Sequence, residues 1–197
     1  MRTGLKETGA IIFAAAILYA MQRTTPLYSN ITSPVSIAGE QGKRTDARAF
    51  ALAVGDVHLA RTVRIERFGQ TRTYTTSGVW VLVEAAAEAK RESLTLTSAE
   101  WLGPSRLRYS LSQRISTMPA MLPAERLEPG LPKPVLMAFE VPENELAGGT
   151  VLVAPSAFTP LGEEVRVAIT ELAPGDIPGA VTIRRSDGPM LWTLETE

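Results

Sequence analysis

From Phe50 onward, apolar residues recur at every second position in short runs, and Gly or Pro closes most of them. A strand turns successive side chains to opposite faces, so this period of two specifies half-buried strands and no helix satisfies it. Phe50, Leu52 and Val54 alternate with Ala51 and Ala53; after Gly55-Asp56 the pattern resumes with Val57, Leu59, Val63 and Ile65. That predicts a pair of antiparallel strands joined by a turn at Gly55-Asp56. Gly69 to Gly78, GQTRTYTTSG, is polar and bounded by glycines, and reads as a loop. VWVLVEAAAEA, Val79 to Ala89, begins apolar on both faces and then turns polar at alternate residues; a helix is the rival reading of its Ala-rich end, but Gly78 and the Val run favour a strand that starts buried and emerges at an edge.

The alternation continues through Ser93 to Trp101 and Arg106 to Ser112, on either side of Gly103-Pro104. Residues 115–134 form the longest irregular stretch, because their prolines forbid a central strand. VLMAFEV (Val135 to Val141), TVLVA (Thr150 to Ala154) and EVRVAI (Glu164 to Ile169) each read as a strand, and the end reads as a hairpin around Ser186-Asp187-Gly188. About nine short strands at this spacing, with no long helix among them, specify an all-β antiparallel sandwich.

The N-terminus differs. TGAIIFAAAILYAMQ, Thr8 to Gln22, is uncharged and lies between Lys6-Glu7 and Arg23. Its cleavage signal is poor: Leu18-Tyr19-Ala20 puts a bulky Leu where a small residue belongs, and Ala14-Ala15-Ala16 comes too early. Fifteen helical residues rise about 22 Å against a hydrocarbon core of about 30 Å, a gap that the stems of Lys6 and Arg23 can narrow. The favoured reading is a single retained transmembrane helix, a signal-anchor with Ile11, Ile12, Phe13, Ile17, Leu18 and Tyr19 in lipid. A cleaved signal peptide and a buried helix are the alternatives. Ala10 with Ala14, and Ala16 with Ala20, add small-residue spacing that would let helices approach. Basic charge before the segment places the N-terminus in the cytoplasm. The expected organisation is an anchor over 1–23, a stalk over 24–47, a sandwich over 48–170 and a C-terminal hairpin over 171–197 packed on it. Asn30-Ile31-Thr32 in the stalk matches a glycosylation sequon.

With no Cys, the chain has no disulfide, thiol nucleophile or cysteine metal site. A net charge of −1 supplies no field for nucleic acid, although 15 basic residues face 9 acidic ones through Arg114, and 5 face 12 beyond it. His58 is the only histidine, so a multi-histidine metal site is excluded. Asp56 and His58 at i and i+2 would share a strand face, as in part of a hydrolase triad, with no glycine elbow to supply its nucleophile. Glu143 with Glu145, and Glu163 with Glu164, are the paired carboxylates a glycosidase would need. Acids after Pro142 also suit the start of a short helix, and Glu143-Asn144-Glu145 lacks the Gly-bearing loop of a calcium site. No phosphate-binding or dinucleotide fingerprint is present, and no cofactor is expected.

Two surfaces suggest recognition. Arg61, Arg64, Arg67 and Arg72 lie with Tyr74 in RTVRIERFGQTRTY; Arg and Tyr dominate interface hot spots, and Arg pairs with anionic groups. Met118 and Met121, with Ile115 and Leu122, make the proline-rich loop adaptable and apolar. The bland alternatives are a solvated strand face and a loop that closes the end of the sandwich.

Gly78-Val79-Trp80-Val81-Leu82-Val83, then Glu128-Pro129-Gly130, then Phe139-Glu140-Val141-Pro142 occur in an order that resembles a known family. It is the bacterial immunoglobulin-like extracellular domain family of anchored and secreted envelope proteins, which includes the mycobacterial immunoprotective extracellular antigen. The likeness covers roughly Phe50 to Ile169 and implies an immunoglobulin-like sandwich without catalytic residues. The expectation is a non-catalytic, membrane-anchored extracytoplasmic binding module, an accessory subunit of a bacterial envelope assembly. Its partners would be membrane lipid through the helix, an envelope protein, and an anionic glycan or lipid headgroup at the arginines. A secreted binding protein and a hydrolase acting on an envelope polymer are the alternatives.

Overall fold

The structure, a computed structural model, describes residues 2–24, 33–67, 69–116, 118, 120–157, 162–170, 172, 177–186 and 191–197. The chain divides into two compact units, residues 1–33 and 34–197. The first carries one helix, α1 (Arg2–Thr24). Ile11, Ile12, Phe13, Ile17, Leu18 and Tyr19 are all exposed on it, and at about 3.6 residues per turn they encircle the helix rather than line one face. Near its C-terminal end the Arg23 Nε and Nη2 donate to the Tyr19 hydroxyl at 3.2 and 2.9 Å, with the guanidinium 5.4 Å from the ring centroid.

No helix among the described residues is long and apolar enough to cross a membrane. The uncharged run is the limit. Any 18-residue window on α1 takes in at least two of Arg2, Lys6, Glu7 and Arg23, and the run itself includes Thr8, Gly9 and Gln22.

The second unit holds strands β1 (Val35–Glu40), β2 (Arg44–Asp46), β3 (Phe50–Arg67), β4 (Gln70–Ala89), β5 (Ser98–Leu102) and β6 (Arg108–Ser110). After them come β7 (Lys133–Val141), β8 (Thr150–Ala154), β9 (Glu163–Ala168), β10 (Ala180–Arg185) and β11 (Trp192–Thr196). One sheet runs β1-β9-β8-β5-β6; the other runs β11-β10-β3-β4-β7, with β2 also on β3. Two pairings, β1 with β9 and β10 with β3, are parallel. The stretch expected to be a stalk, 24–47, therefore contributes β1 and β2 to the sandwich; the sequon within it lies outside the described residues. The C-terminal segment is an antiparallel pair integrated into the second sheet, while the expected turn residues Asp187 and Gly188 lie outside the described residues.

Two expectations about β3 and β4 change. Gly55-Asp56 is a β-bulge inside one continuous strand, because Val54 pairs with Ala85 and Val57 with Val83, leaving Glu84 opposite both bulge residues. The extra residue shifts the period by one, so Phe50, Leu52 and Val54 face the same core as Val57 and Leu59. Gly69 to Gly78 is likewise no loop: Gln70 to Thr75 pair with Arg67 to Thr62, and a second irregularity sets Thr76 to Val79 against Arg61 alone. Gly78 is required there, since a Cβ would strike the Val141 carbonyl.

Between the sheets, Phe50, Leu52, Val81, Val83, Met137 and Phe139 meet Trp101, Val151, Val153, Val165 and Val167. The Trp101 and Phe139 ring centroids are 6.4 Å apart at 50°. Trp101 Nε1 donates to the Glu145 carbonyl at 2.9 Å, and a Cβ on Gly149 would overlap the Trp101 ring. A second cluster covers the outer face of the β10-β3-β4-β7 sheet: Ala60, Val63, Trp80, Leu82, Val181 and Ile183 beneath Ile115, Ala120 and Met121. The proline-rich loop thus lies over a sheet face through Ile115, Ala120 and Met121, and it also sends Leu122 and Leu127 into the inter-sheet core. Its backbone is tied to β7 by Leu136 N donating to Ala120 O at 2.8 Å and Ser112 N to Ala138 O at 2.9 Å.

Candidate functional site

The far half of the β3-β4 hairpin separates the predicted arginines by register. Val63 pairs with Tyr74, Ile65 with Arg72 and Arg67 with Gln70, and directly opposite residues share a face. Arg67, Arg72 and Tyr74 therefore come together on the outer face. Arg64 alternates to the other face, where it bonds Glu197. Arg61 sits at the second irregularity, its Nη2 2.5 Å from Glu143 Oε2, and lines a different groove with Tyr109 and Glu140. The expectation of one surface for all four arginines is corrected accordingly.

On the outer face the hairpin and the proline-rich loop bound an open groove of about 480 Å³. Arg67, Gln70, Arg72 and Tyr74 form one wall; Ile115 and Met118 form the other, with Ile65 between. Met121 does not line it. Its side chain is 1% exposed in the cluster beneath the loop, which corrects its expected role in binding. Ala120, beside it, holds a left-handed φ of 68°, sustained by bonds to Leu136 N and from Ala120 N to Glu125 Oε1. Strain of this kind persists only where the surroundings over-determine the backbone, and these two bonds do so at Ala120.

Arg114 also lines the groove. Its guanidinium stands 5.6 Å from the Tyr74 ring centroid and 5.5 Å from that of Trp80, while Nη1 donates to Thr75 O at 2.7 Å and to Glu140 Oε2 at 3.0 Å. Two rings, a carbonyl and a carboxylate hold it, so it acts as a fixed positive wall. The Arg72 side chain is exposed and makes no hydrogen bond or ion pair with a described residue. No carboxylate lines the groove among the described residues. Sequence reasoning missed Arg114, since nothing in its spacing marks Tyr74, forty positions earlier, as its neighbour.

On the opposite face of the hairpin the charges are paired. Arg184 Nε donates to Glu66 Oε2 at 2.6 Å and its Nη1 lies 2.9 Å from Glu195 Oε2. The Arg184 hydrogen bond holds the Glu66 carboxyl below its ordinary value, and the Arg64 hydrogen bond does the same for Glu197.

The sequence-derived catalytic groups do not assemble among the described residues. Asp56 is exposed and forms no bond to His58; the carboxylate near His58 is Glu84, whose Oε1 lies 4.0 Å from Nε2 and accepts from Trp192 Nε1 at 3.0 Å. The His58 Nε2 is buried without a hydrogen-bond partner among the described residues. Glu143 bonds Arg61 at the surface, whereas Glu145 is buried and accepts from Ser105 N at 3.3 Å. Glu163 accepts from Arg48 N, and the buried Glu164 is held by Arg166 at 2.7 Å and Arg108 at 3.4 Å. Burial, and then the Glu145 charge, push the Tyr109 hydroxyl above its ordinary value. No group of three or more His, Asp or Glu that could hold a metal occurs among the described residues.

No protein-family model matches the chain, and no curated protein does. Among solved structures it is similar to an uncharacterized β-sandwich protein of Clostridium difficile 630, at 14% identity and a TM-score of 0.44, covering 70% of this chain and 97% of that one. It is also similar to the yjhA protein of Bacillus subtilis, at 14% identity and a TM-score of 0.48, covering 65% of this chain and 98% of that one. The chain is an all-β, two-sheet sandwich with a helical N-terminal unit.

Proposed function

We propose that the chain is a non-catalytic interaction module, held at a membrane by its N-terminal helix, with the sandwich on the extracytoplasmic side. The observation that carries this reading is the outer-face groove: three arginines, no carboxylate among the described lining residues, and one guanidinium, Arg72, left without a partner. A cation exposed beside Tyr74 and an ordered apolar wall is a recognition surface by composition.

Strand order supports an immunoglobulin-like assignment. β3-β4-β7 on one sheet and β9-β8-β5-β6 on the other are arranged as strands A-B-E and G-F-C-C′ of that sandwich. For the helix, support comes from apolar side chains on every side, which require an apolar surround, and from the Tyr19-Arg23 pair, suited to a membrane-water interface. We place the uncharged turns in lipid and the flanking charges at its surface.

Photo-crosslinking in native membranes tests this, with a photoreactive residue in place of exposed Gln70, which lines the groove, and a control at exposed Arg48. The expected result is sedimentation with membranes after alkaline carbonate washing and a discrete adduct from position 70 alone. Release into the wash together with equal capture from both positions would sink the proposal.

A further inference from the structure

We propose that the groove between the β3-β4 hairpin and the proline-rich loop binds a small amphiphilic anion, a single carboxylate or phosphate head carried on an apolar chain. The inference rests on the interaction-module reading and adds the chemistry of what the groove takes.

The charge ledger selects one anionic head. Three guanidinium groups line the groove, but Arg114 is already matched by Glu140 and Arg67 is already engaged. Arg72 alone is uncommitted, so the groove offers one free bidentate donor, the geometry that fits a carboxylate or phosphate. A polyanion such as a nucleic acid would need a row of such donors. The fixed positive wall of Arg114 favours an anion without being used up by it.

The apolar elements select the tail. Ile65 is the direct cross-strand partner of Arg72, so an aliphatic surface begins beside the guanidinium. It continues through the Tyr74 ring to Ile115 and Met118 on the loop wall. A ligand whose head meets Arg72 therefore lays its first carbons on these groups. Size agrees: about 480 Å³ falls within the range of small-molecule sites. A peptide added as a strand is disfavoured, because the groove lies on the face of paired strands, where backbone groups are already bonded across β3 and β4.

Isothermal titration of the full chain in zwitterionic nanodiscs, with empty nanodiscs as blank, tests the proposal. The probes are octyl phosphate and octanoate below their micellar concentrations, with inorganic phosphate and octyl glucoside to remove the tail or the charge. Both octyl anions should bind at one site, each control probe being weaker by at least about tenfold. Arg72→Ala should weaken octyl phosphate by about tenfold to a hundredfold, with near-ultraviolet circular dichroism unchanged and Arg72→Lys intermediate. Met118→Gln should weaken octyl phosphate and leave inorganic phosphate as it was. Repeating the titration in phosphatidylglycerol nanodiscs identifies the source: competition points to bilayer headgroups, unaltered affinity to a free amphiphile. Equal binding of inorganic and octyl phosphate, or an Arg72→Ala variant that binds like the parent, overturns the inference. If neither octyl anion binds while position 70 still crosslinks selectively in membranes, the ligand class falls and the interaction-module reading stands.

Discussion

The same two strands, β3 and β4, live in two different environments. In their near half, Phe50 to Ala60 against Trp80 to Ala89, one face is buried in the inter-sheet core along its length, and Ala60, Trp80 and Leu82 are also buried beneath the loop on the other. In their far half, Thr62 to Arg67 against Gln70 to Thr75, one face carries the groove and the other a set of ion pairs. The change falls at Arg61, where four residues of β4 oppose one of β3. Hydrogen bonding is continuous in type on both sides of this point; what differs is what covers the strands. Stability should therefore concentrate in the near half and recognition in the far half.

The largest expected effect breaks or sustains that division directly. Phe139→Ala empties space between the sheets against Trp101 and should cost about 3–5 kcal/mol, read from the urea midpoint. Met121→Ala, beneath the loop, should cost about 2 kcal/mol, because a single loop layer settles more readily than two opposed sheets. If Met121→Ala costs as much as Phe139→Ala, the outer cluster is an equal core and the contrast fails. Arg114→Ala, at the junction, removes a cation from two rings and should cost about 1–2 kcal/mol, with Arg114→Lys restoring only part of it.

Acid should weaken the ion-paired face of the far half, where Arg184 and Arg64 hold carboxylates. The folded values of Glu66 and Glu197 are depressed, so their stabilisation is complete above the unfolded value of about 4.3 and is lost as pH falls through the folded ones. Amide exchange corrected for intrinsic rate should show β10 and β11 losing protection across that window while β5 and β8 keep theirs. Equal loss in all four strands would erase the distinction. Smallest of all, Arg72→Ala should shift stability by less than about 0.5 kcal/mol while abolishing selective crosslinking from the groove.

Much of the near half was legible in the sequence, because burial on both faces writes an apolar run that nothing else imitates. Val135 to Val141 and Thr150 to Ala154 were read as strands and are strands, stopped or flanked by Pro142 and Gly149 as their chemistry requires. The far half was misread as a loop, since TRTYTT has the polarity of a loop and its strand character comes from pairing with Thr62 to Arg67. Gly55-Asp56 was misread for a related reason: the residues that favour a turn also favour a bulge. Parallel pairing of β1 with β9 joins segments more than a hundred residues apart, and no local pattern announces it. Of the site, Arg67, Arg72, Tyr74 and Met118 were named in advance, but alternation alone could not place Arg64 behind them until the register was known. The burial of Met121 was equally invisible, because two methionines three positions apart carry the same sequence signal.

The irregularity at Thr76 to Gly78 has an evolutionary consequence. Gly78 is locked against the Val141 carbonyl, so the near half keeps its register whatever happens beyond it. Past that point the hairpin pairs with no strand of the first sheet among the described residues. Adding or removing two residues from each arm would lengthen or shorten its reach and leave the side-chain phase intact; a change of one per arm would exchange the arginine face for the ion-paired face. The depth of the groove can thus change only in discrete, even steps if the arginine face is to stay where it is.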